Sequence, residues 1–371
     1  MTRSGAAAPG ERVVHFVVPG DVDDPAAPSG GNTYDLRACR DLPAAGWQVH
    51  RHAAHGSWPQ PDQAARTELA LFLGQLPNGA VVLIDGLVAC AVPEVVGHAA
   101  ERLRMAVLVH LPLGDETGLA PGAAADLDAR ERRTLQAVRA VVATSEWAAR
   151  RIVAHHGLSA ARVQVARPGV DAAPLAPGTD GATGLLCVAA VTPRKGQLRL
   201  VEALAAVADL PWSCVCVGGL RRDPGYVTQI RGKINQLGIG GGERVRLAGV
   251  RMGLELEASY AAADLLVLTS FAETYGMVVT EALARGIPVL ATAVDGVPEA
   301  VGRAPDGTVP GLLVPSDDPA ALVGALRSWL GDPELRHGLR KAARERRAML
   351  EGWEMTSRSL ARVLERLRRE L

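Results

Sequence analysis

The sequence predicts an α/β protein made of two doubly wound parallel-sheet domains. Its 371 residues are enough for about two domains. Hydrophobic residues make up 48% of the chain, which is ample for two buried cores. Short, almost continuously apolar segments alternate with segments of helical spacing, as expected for parallel strands that are covered by helices on both faces.

The first half of the chain contains one alternating series. Its predicted strands are residues 13–18, 49–52, 81–84, 106–109, 141–144 and 163–166. Segments of helical spacing lie between them, for example 34–45 and 126–138. We therefore predict a Rossmann-like N-terminal domain at residues 1–170. It is followed by a linker at 171–183, where Pro, Gly and small residues are concentrated.

A second alternating series begins after the linker. Its apolar segments are LLCVAAV, WSCVCVGG, RVRLAG, DLLVLTS, PVLATA and GLLVP. They predict a second Rossmann-like domain at residues 184–355. Because ligands of doubly wound sheets bind beyond the carboxyl ends of the strands, we expect the binding site in a cleft between the two domains.

The C-terminal segment, residues 356–371, has the pattern of a basic amphipathic helix. Its apolar positions recur every three or four residues and are Leu360, Val363, Leu364 and Leu367. We expect this helix to pack on the N-terminal domain. A helix lying on a membrane surface is the alternative, which the acidic residues of the same stretch weaken.

Charge and composition exclude several classes of protein. The 40 basic and 40 acidic side chains give no net charge, so binding to nucleic acid is not expected. No apolar run reaches the ~18 residues of a membrane span, and stable membrane association is not expected. The first twenty residues lack the apolar core of a signal peptide, which predicts a cytoplasmic protein. No oligomeric state is predicted.

Cysteine usage fits a reducing compartment. The chain has five cysteines, an odd number, which indicates reduced and buried thiols. Cys214 and Cys216 point to the same face of a predicted strand, so they are interpreted as core thiols. A metal site at this pair is the alternative, although no histidine or third cysteine is close in sequence.

Two loops that follow predicted strands carry residues suited to ligand binding. Gly30 and Gly31 follow the first strand and let the backbone approach a ligand, with Asn32 or Thr33 as the cap of the next helix. A plain turn is the alternative. Arg194 and Lys195 follow the strand LLCVAAV, where two cations suit a phosphate or diphosphate; a solvated basic turn is the alternative.

A third loop carries two carboxylates around the start of a helix. Glu273 lies in the loop FAETYG after the strand DLLVLTS, and Glu281 lies inside the helix that begins near Gly276. The amides at this helix start can hold an anion. A surface carboxylate that complements the helix dipole is a sufficient explanation for Glu273. It is a poor one for Glu281, because its neighbours Val279 and Leu283 have the pattern of buried residues.

The segment SFAETYGMVVTEALARGIPVLATAVDGVPEAV resembles the signature of the retaining GT-B glycosyltransferases, which use nucleotide-sugar donors. Its two glutamates match the E-x7-E pattern of that family. The resemblance covers the whole chain in the family's order, through SGGNTYDLRACRDLPAAGWQV, LVHLPL, VVATSEWAARRI, VQVARPGVD, TPRKG and VRLAGV. It implies the GT-B fold, in which two Rossmann-like domains face each other across a cleft.

The resemblance also implies roles for individual residues. Glu281 would bind the ribose hydroxyls, and Glu273 would lie near the 3-hydroxyl of the donor sugar. His110 would face that sugar, and Lys195 would bind the diphosphate. The implied catalytic residues are His110, Lys195 and Glu273. The implied donor-binding residues are Gly31, Arg194, Lys195, Val250, Arg251, Tyr275, Gly276, Met277, Val278 and Glu281.

One position departs from the family pattern. Many members have Gly-Arg in the strand before the lysine loop, and that arginine also binds the diphosphate. Here the matching residues are Ala189 and Ala190. The resemblance therefore implies a phosphate site that depends on Lys195, with Arg194 as the candidate replacement for the missing arginine.

The family retains anomeric configuration, and a front-face attack assisted by the departing phosphate is its usual proposed mechanism. In that mechanism the diphosphate accepts the proton of the acceptor, so no bound metal or other cofactor is expected. The Asp21-Val22-Asp23 triplet lies in a Pro-rich loop and is interpreted as solvated. The expected partners are a nucleotide sugar, with UDP favoured over GDP, and a small-molecule acceptor.

Three alternative functions remain open at this point. A nucleotide-sugar epimerase or hydrolase on the same fold would form product without an acceptor. A phosphorylase would need a lysine that holds pyridoxal phosphate, and none of Lys195, Lys233 and Lys341 lies in a recognisable motif for that. A non-enzymatic two-domain sugar-binding protein would release no nucleoside diphosphate.

Overall fold

The computed structural model describes residues 12–26, 28–116, 118–179, 181–239 and 244–369. The chain forms two compact units. Unit 1 contains the chain up to Asp24, then Gly30–Gly169 and the segment from Trp353 onward. Unit 2 contains Pro25–Ser29 and Val170–Gly352.

Unit 1 is built on one parallel sheet. The described strands are β1 (Val13–Pro19), β2 (Gln48–Ala54), β3 (Val81–Asp85), β4 (Arg104–Val109), β5 (Ala140–Ala143) and β6 (Val163–Val165). Their order across the sheet is β2-β1-β3-β4-β5-β6. The helices between them are α1 (Gly30–Asp41), α2 (Gln63–Gln75), α3 (Gly86–Ala89), α4 (Pro93–Ala100), α5 (Pro121–Ala137) and α6 (Glu146–His156).

Unit 2 repeats this architecture with a different strand order. The described strands are β7 (Gly184–Val188), β8 (Ser213–Val217), β9 (Val245–Gly249), β10 (Leu265–Leu268), β11 (Val289–Thr292) and β12 (Gly311–Val314). Their order is β12-β11-β10-β7-β8-β9, again all parallel. The helices are α7 (Gln197–Ala205), α8 (Pro224–Gln236), α9 (Gly253–Ala261), α10 (Met277–Ala284), α11 (Val297–Val301), α12 (Pro319–Gly331) and α13 (Pro333–Arg347).

Burial explains the apolar strand segments of the sequence. Every residue of β3, β5, β10 and β11 is buried, as expected for central strands with helices on both faces. The edge strand β2 has the sequence QVHRHAA, and most of its residues are exposed or half-buried. The predicted α/β class and the two doubly wound sheets are confirmed.

The strand orders place one topological switch point in each sheet. In unit 1 the order reverses between β1 and β3, and in unit 2 it reverses between β7 and β10. Chains leave neighbouring strands in opposite directions at such a point, which opens a crevice at the carboxyl ends. The loops after β1, β3, β7 and β10 are therefore the expected positions of ligand-binding residues.

The first helix differs from its predicted bounds of 34–45. It begins at Gly30, so Asn32 and Thr33 lie inside the first turn and are not its cap. The α-helix ends at Asp41, and a 3₁₀ turn at Leu42–Ala45 follows. Pro43 has no backbone N–H to continue the helical hydrogen bonds, which explains the change of helix type.

The C-terminal helix α14 (Trp353–Arg369) belongs to unit 1. All four residues of its predicted apolar stripe are buried, so this stripe is part of the unit's core. At its first turn, the Trp353 ring lies edge-on to Tyr34 at 5.8 Å, and the Thr356 hydroxyl donates to the Arg167 carbonyl at 2.7 Å. This burial argues against the alternative of a membrane-surface helix.

Two further predictions concern thiols and membranes. All five cysteines are free; four are buried, and Cys39 is half-buried. Cys187, Cys214 and Cys216 lie in the apolar core of unit 2, which fits core thiols. Within the ranges that the structure describes, no helix has both the length and the apolarity that crossing a bilayer requires.

We expect the core packing of α14 to stabilise unit 1 strongly. Leu364 is 1% exposed, and Leu364→Ala should lower the free energy of unfolding by about 2–5 kcal/mol through lost burial and a residual cavity. Leu71→Ala is the matched control, because Leu71 is 61% exposed in the same unit. Urea denaturation followed by circular dichroism would measure both. Equal losses in the two variants would contradict the packing of this helix.

Candidate functional site

In unit 1, three polar side chains meet beside the switch point. Asp35 lies in the second turn of α1, Asp85 ends β3, and His110 follows β4. The Nε2 atom of His110 is 2.8 Å from Asp35 Oδ1 and 3.4 Å from Asp85 Oδ2. Both carboxylates are buried, and His110 is half-buried.

Burial controls the protonation of this cluster. It raises the pKa of Asp35 well above its usual range, and it raises the pKa of Asp85 to about 8 with a further contribution from the charge of Asp35. Burial also lowers the pKa of His110, against the opposing effect of Asp85. At neutral pH the cluster therefore holds a neutral imidazole, and at least one of its carboxyl groups keeps its proton.

The proton retained by one of the two carboxyl groups also explains why a buried oxygen of Asp35 lacks a donor. Asp35 Oδ2 is buried, and no N–H or O–H group of the described residues donates to it. A proton on Asp85 turns that group into a donor for Asp35, as in other close carboxylate pairs. Two carboxylates and an imidazole are also donors of the kind that hold divalent cations, and their donor atoms lie within 4.8 Å of one another.

Gly31 supports the position of the His110 ring. A Cβ atom at Gly31 would lie 3.1 Å from His110 Cδ2 and 3.3 Å from Cγ, so the imidazole packs directly against the glycine backbone. The ring of Tyr34 contacts the imidazole edge-on at 5.1 Å between centroids. The structure therefore brings the predicted residues Gly31 and His110 together. The glycines are in the first turn of α1 rather than in a loop before it.

In unit 2, the loops after β7 and β10 bring two predicted residues into contact. The ammonium group of Lys195 forms an ion pair with Glu273 Oε1, and the Ser270 hydroxyl donates to the same oxygen at 3.1 Å. Arg194 Nη1 is 4.0 Å from Glu273 Oε2 and donates to the Ala272 carbonyl at 3.0 Å. These side chains form one polar cluster at the switch point.

The cluster keeps Glu273 ionised although it is buried. Burial alone would raise its pKa, but the charges of Lys195 and Arg194 and the hydrogen bonds from Lys195 and Ser270 outweigh that effect and lower the pKa. The backbone around Glu273 is also held from the other side. Its amide donates to Asp295 Oδ2 at 2.8 Å, and its carbonyl accepts from the Gly296 amide at 2.9 Å.

Close backbone approach fixes the lysine loop against the glutamate loop. A Cβ atom at Gly196 would lie 2.1 Å from the Thr269 carbonyl oxygen, so only glycine fits there. The Phe271 amide donates to the Arg194 carbonyl at 2.8 Å. Lys195 and Glu273 are thus brought together by their backbones as well as by their charges.

Glu281 belongs to a second polar group, which includes helix α9. The Tyr260 hydroxyl donates to Glu281 Oε2 at 2.6 Å. Burial raises the pKa of Glu281, against the opposing effects of Tyr260 and Arg285. The neighbour of Tyr260, Ser259, accepts from Arg251 Nη1 at 2.7 Å. Helix α9 thereby connects the predicted donor-binding residue Arg251 to Glu281, the predicted ribose-binding carboxylate.

The remaining predicted residues have distinct positions. Gly276 precedes α10 with a φ of +89°, and Met277 and Val278 are half-buried in the first turn of this helix. Tyr275 is buried in the apolar core with Val279 and Val297. Val250 follows β9 and is half-buried. In the sheet, β8 lies between β9 and β7, the strand that precedes Lys195.

Sequence analysis missed several residues of these clusters. They are Asp35, Asp85, Tyr260, Ser270 and Asp295. A signal was available for Asp85, because VVLID ends an otherwise apolar buried strand with a carboxylate. Asp35 and Tyr260 sit within helical patterns, where sequence alone does not distinguish a buried polar residue from a surface one.

The buried carboxyl pair predicts a pH-dependent contribution to stability. The pKa of Asp85 is raised in the folded chain, so between about pH 4 and 8 the folded state binds one more proton than the unfolded state. Its stabilising contribution is complete below pH 4 and is lost as pH rises through 8. The loss is up to about 1.4 kcal/mol per pH unit. Asp85→Asn, which cannot titrate, should remove this dependence.

Urea unfolding at pH 5, 6, 7 and 8 would test this expectation. As pH rises, the unfolding free energy of the wild type should fall relative to that of Asp85→Asn. Asp21→Asn, at an exposed loop position of the same unit, is the control and should run parallel to the wild type. Parallel curves for Asp85→Asn as well would mean that Asp85 is ionised in the folded chain.

Comparison with known proteins gives the chain a family. Residues 179–346 match the family model of glycosyl transferases group 1. A D-inositol 3-phosphate glycosyltransferase of Jonesia denitrificans is 32% identical over 67% of this chain and 63% of its own length. The D-inositol 3-phosphate glycosyltransferase 1 of Catenulispora acidiphila is 34% identical over 67% and 62%. The chain thus spans less than two thirds of the length of these relatives.

Solved structures agree on the fold. Anabaena HepE in complex with UDP and glucose superposes with a TM-score of 0.73 at 18% identity, over 96% of this chain and 99% of that one. Sucrose-phosphate synthase of Thermosynechococcus elongatus superposes with a TM-score of 0.75 at 21% identity, over 96% and 99%. At these identities the likeness concerns the fold alone. The chain therefore has the GT-B fold and belongs to the glycosyl transferases group 1 family.

Proposed function

We propose that this protein is a glycosyltransferase that moves a sugar from a nucleoside-diphosphate sugar to a hydroxyl group of a small acceptor. The observation that carries the proposal is the cluster at the unit 2 switch point, in which the half-buried Lys195 and Arg194 lie beside the buried Glu273. The family match over the same residues supports it. The relatives' shared name as glycosyltransferases points to the same reaction class.

The charge arrangement suits a diphosphate leaving group. Lys195 is one of three lysines of the chain and lies at the carboxyl end of β7. In this structure its charge is engaged by Glu273, and Arg194 lies beside the same carboxylate. A bound diphosphate would compete for both cations, while the first amides of α10 would add the positive end of a helix dipole. Arg194 would then take the role of the family arginine whose position is occupied here by Ala190.

The proposed reaction retains anomeric configuration and needs no bound metal. The bond between the anomeric carbon and the diphosphate oxygen breaks, and the acceptor oxygen bonds to that carbon from the same face. The acceptor's proton passes to the departing phosphate oxygen. Glu273 is ionised and ion-paired, which suits holding a sugar hydroxyl. His110 is kept neutral by burial, so it can donate to or accept from a hydroxyl without adding charge.

For the donor we propose a UDP-sugar. A neighbouring fold, that of HepE, is described in complex with UDP-glucose. In this chain Glu281 and Tyr260 form a carboxylate–phenol pair suited to the ribose hydroxyls. For the acceptor we propose a small polyhydroxylated molecule, and inositol 3-phosphate is the first to test because of the relatives' names.

Removing the lysine should slow turnover far more than it weakens binding. Lys195→Ala takes away a charge that would stabilise the departing diphosphate mainly in the transition state. The loss of one such donor typically costs about 10²–10³ in kcat. UDP release from UDP-glucose, with and without inositol 3-phosphate, would measure it. Lys341→Ala is the control, because Lys341 is 64% exposed on α13 and its ion-pair partner Glu345 lies on the same helix.

The variants also separate function from folding. Glu273→Gln keeps the size of the side chain and removes its charge, so it should lower turnover while preserving the thermal midpoint better than Lys195→Ala, which takes the nearest cation away from a buried carboxylate. Near-normal rates in both variants would refute the proposed site. UDP release that does not depend on any acceptor would instead favour a hydrolase or an epimerase.

Nucleotide binding should be visible as added stability. At 100 times its Kd, UDP should raise the free energy of unfolding by about 2.7 kcal/mol. GDP at the same concentration should raise it less, and Glu281→Gln should reduce the UDP shift by loss of a charged ribose partner. Differential scanning fluorimetry measures all three. Equal shifts with UDP and GDP would contradict the donor choice, and no shift with either would contradict the donor class.

A further inference from the structure

Two consecutive histidines at the end of α6 face a carboxylate on α5. His155 and His156 are the last residues of α6, and Asp128 lies in the middle of α5. The donor atoms of the three side chains lie within 4.8 Å of one another. His155 and Asp128 are in contact, and each is about one third exposed, while His156 is 1% exposed.

The buried histidine has a defined tautomer. Its Nε2 atom is 2.8 Å from Glu131 Oε1, and the other oxygen of Glu131 accepts from the Leu113 amide at 2.8 Å. Carboxylate oxygens accept hydrogen bonds, so the contact with Glu131 assigns the proton of His156 to Nε2. Its Nδ1 atom then presents a lone pair.

That lone pair is unsatisfied in the protein. Nδ1 of His156 is buried, and no described residue gives it a hydrogen bond. A buried polar atom without a partner costs free energy, and such atoms call for a specific explanation. The ion pair of His155 with Asp128 does not provide one, because it leaves His156 Nδ1 unchanged.

We propose that Asp128, His155 and His156 bind a divalent transition-metal ion of the zinc type. Two imidazoles and a carboxylate are ligands that zinc favours, and the exposed side leaves room for water as a fourth ligand. Ligands on one tetrahedral zinc lie roughly 3.5 Å apart, given bonds of about 2.0–2.2 Å. The partly exposed side chains of His155 and Asp128 can reach this spacing by rotating, with the ion replacing their direct contact.

Glu131 has the position of a supporting carboxylate. Metal-binding histidines usually donate their second ring N–H to such a group, which orients the ring and raises its basicity. Glu131 is itself buried, and two hydrogen bonds fix it. The orientation of His156 is therefore set before any ion arrives.

Charges near the cluster permit a cation. Arg132 Nη2 is 3.9 Å from Asp128 Oδ2 and donates to the His155 carbonyl at 3.0 Å, so its charge opposes a bound ion. The carboxylates of Asp128 and Glu131 supply two negative charges against this one. The ion would join α5 to α6 and, through Glu131 and Leu113, would support the chain that follows His110 in sequence.

Zinc titration of the full chain tests this site. After treatment with EDTA and dialysis, isothermal calorimetry with ZnCl₂ should give one strong site per chain, and elemental analysis should give one zinc per chain. His155→Ala and Asp128→Asn change the two exposed ligands and should weaken binding by more than tenfold. Glu131→Gln should weaken it by about 10–100-fold, as is usual for a supporting carboxylate.

His98→Ala is the matched control, because His98 is an 85% exposed histidine of the same unit. It should bind zinc like the wild type. The cobalt(II) form of the wild type should show visible absorption typical of a tetrahedral site, and His155→Ala should lose it while its circular dichroism stays unchanged. Absence of a strong site, or equal binding by wild type, His155→Ala and Asp128→Asn, would overturn the proposal.

Discussion

The unit 2 site depends on the pairing of Lys195 with the buried carboxylate of Glu273. Without a cation beside it, the Glu273 charge would be very costly in the interior, because it would lose its hydration without a partner. The two residues follow different strands, so their pairing requires both loops to adopt their observed paths at once. Ser270 and the backbone bond to Asp295 complete this arrangement. The pair thus ties the chemistry of the site to the strand order of the sheet.

Buried carboxyl groups are stabilised in opposite ways at the two switch points. In unit 2, cations outnumber the carboxylate they surround, so Glu273 stays ionised and positive charge remains to meet an anion. In unit 1, two buried carboxyl groups lie beside one neutral imidazole. A proton retained on a carboxyl group removes one negative charge and so lowers the free-energy cost of burying the pair. An anionic diphosphate suits only the first arrangement. Uncharged sugar hydroxyls, which both donate and accept hydrogen bonds, suit the second.

Much of the fold was predictable because its signals are local. The apolar strand segments and the helical spacing identified both sheets, and the loops after β7 and β10 contained Lys195 and Glu273 as predicted. The polar partners of these residues were not predictable in the same way. Tyr260 reaches Glu281 across 21 positions, and Asp35 reaches His110 across 75, so these contacts exist only once the strands are ordered. Two helices also begin earlier than predicted, at Gly30 and Pro121, because glycine or proline occupies their first turn.

Backbone contacts limit how such a site can vary. Side chains around the lysine loop can differ, as the uncharged Ala190 beside Arg194 illustrates. The close approach of the loops cannot differ in the same way, because a Cβ atom would collide with a carbonyl oxygen. Such an atom at Gly196 would lie 2.1 Å from the Thr269 oxygen, and one at Gly296 would lie 2.0 Å from the Thr274 oxygen. Both glycines position the segments that carry Lys195 and Glu273. The geometry of the ion pair is therefore set by the main chain, and a change of specificity on this scaffold has to come from side chains that surround the pair rather than from the pair itself.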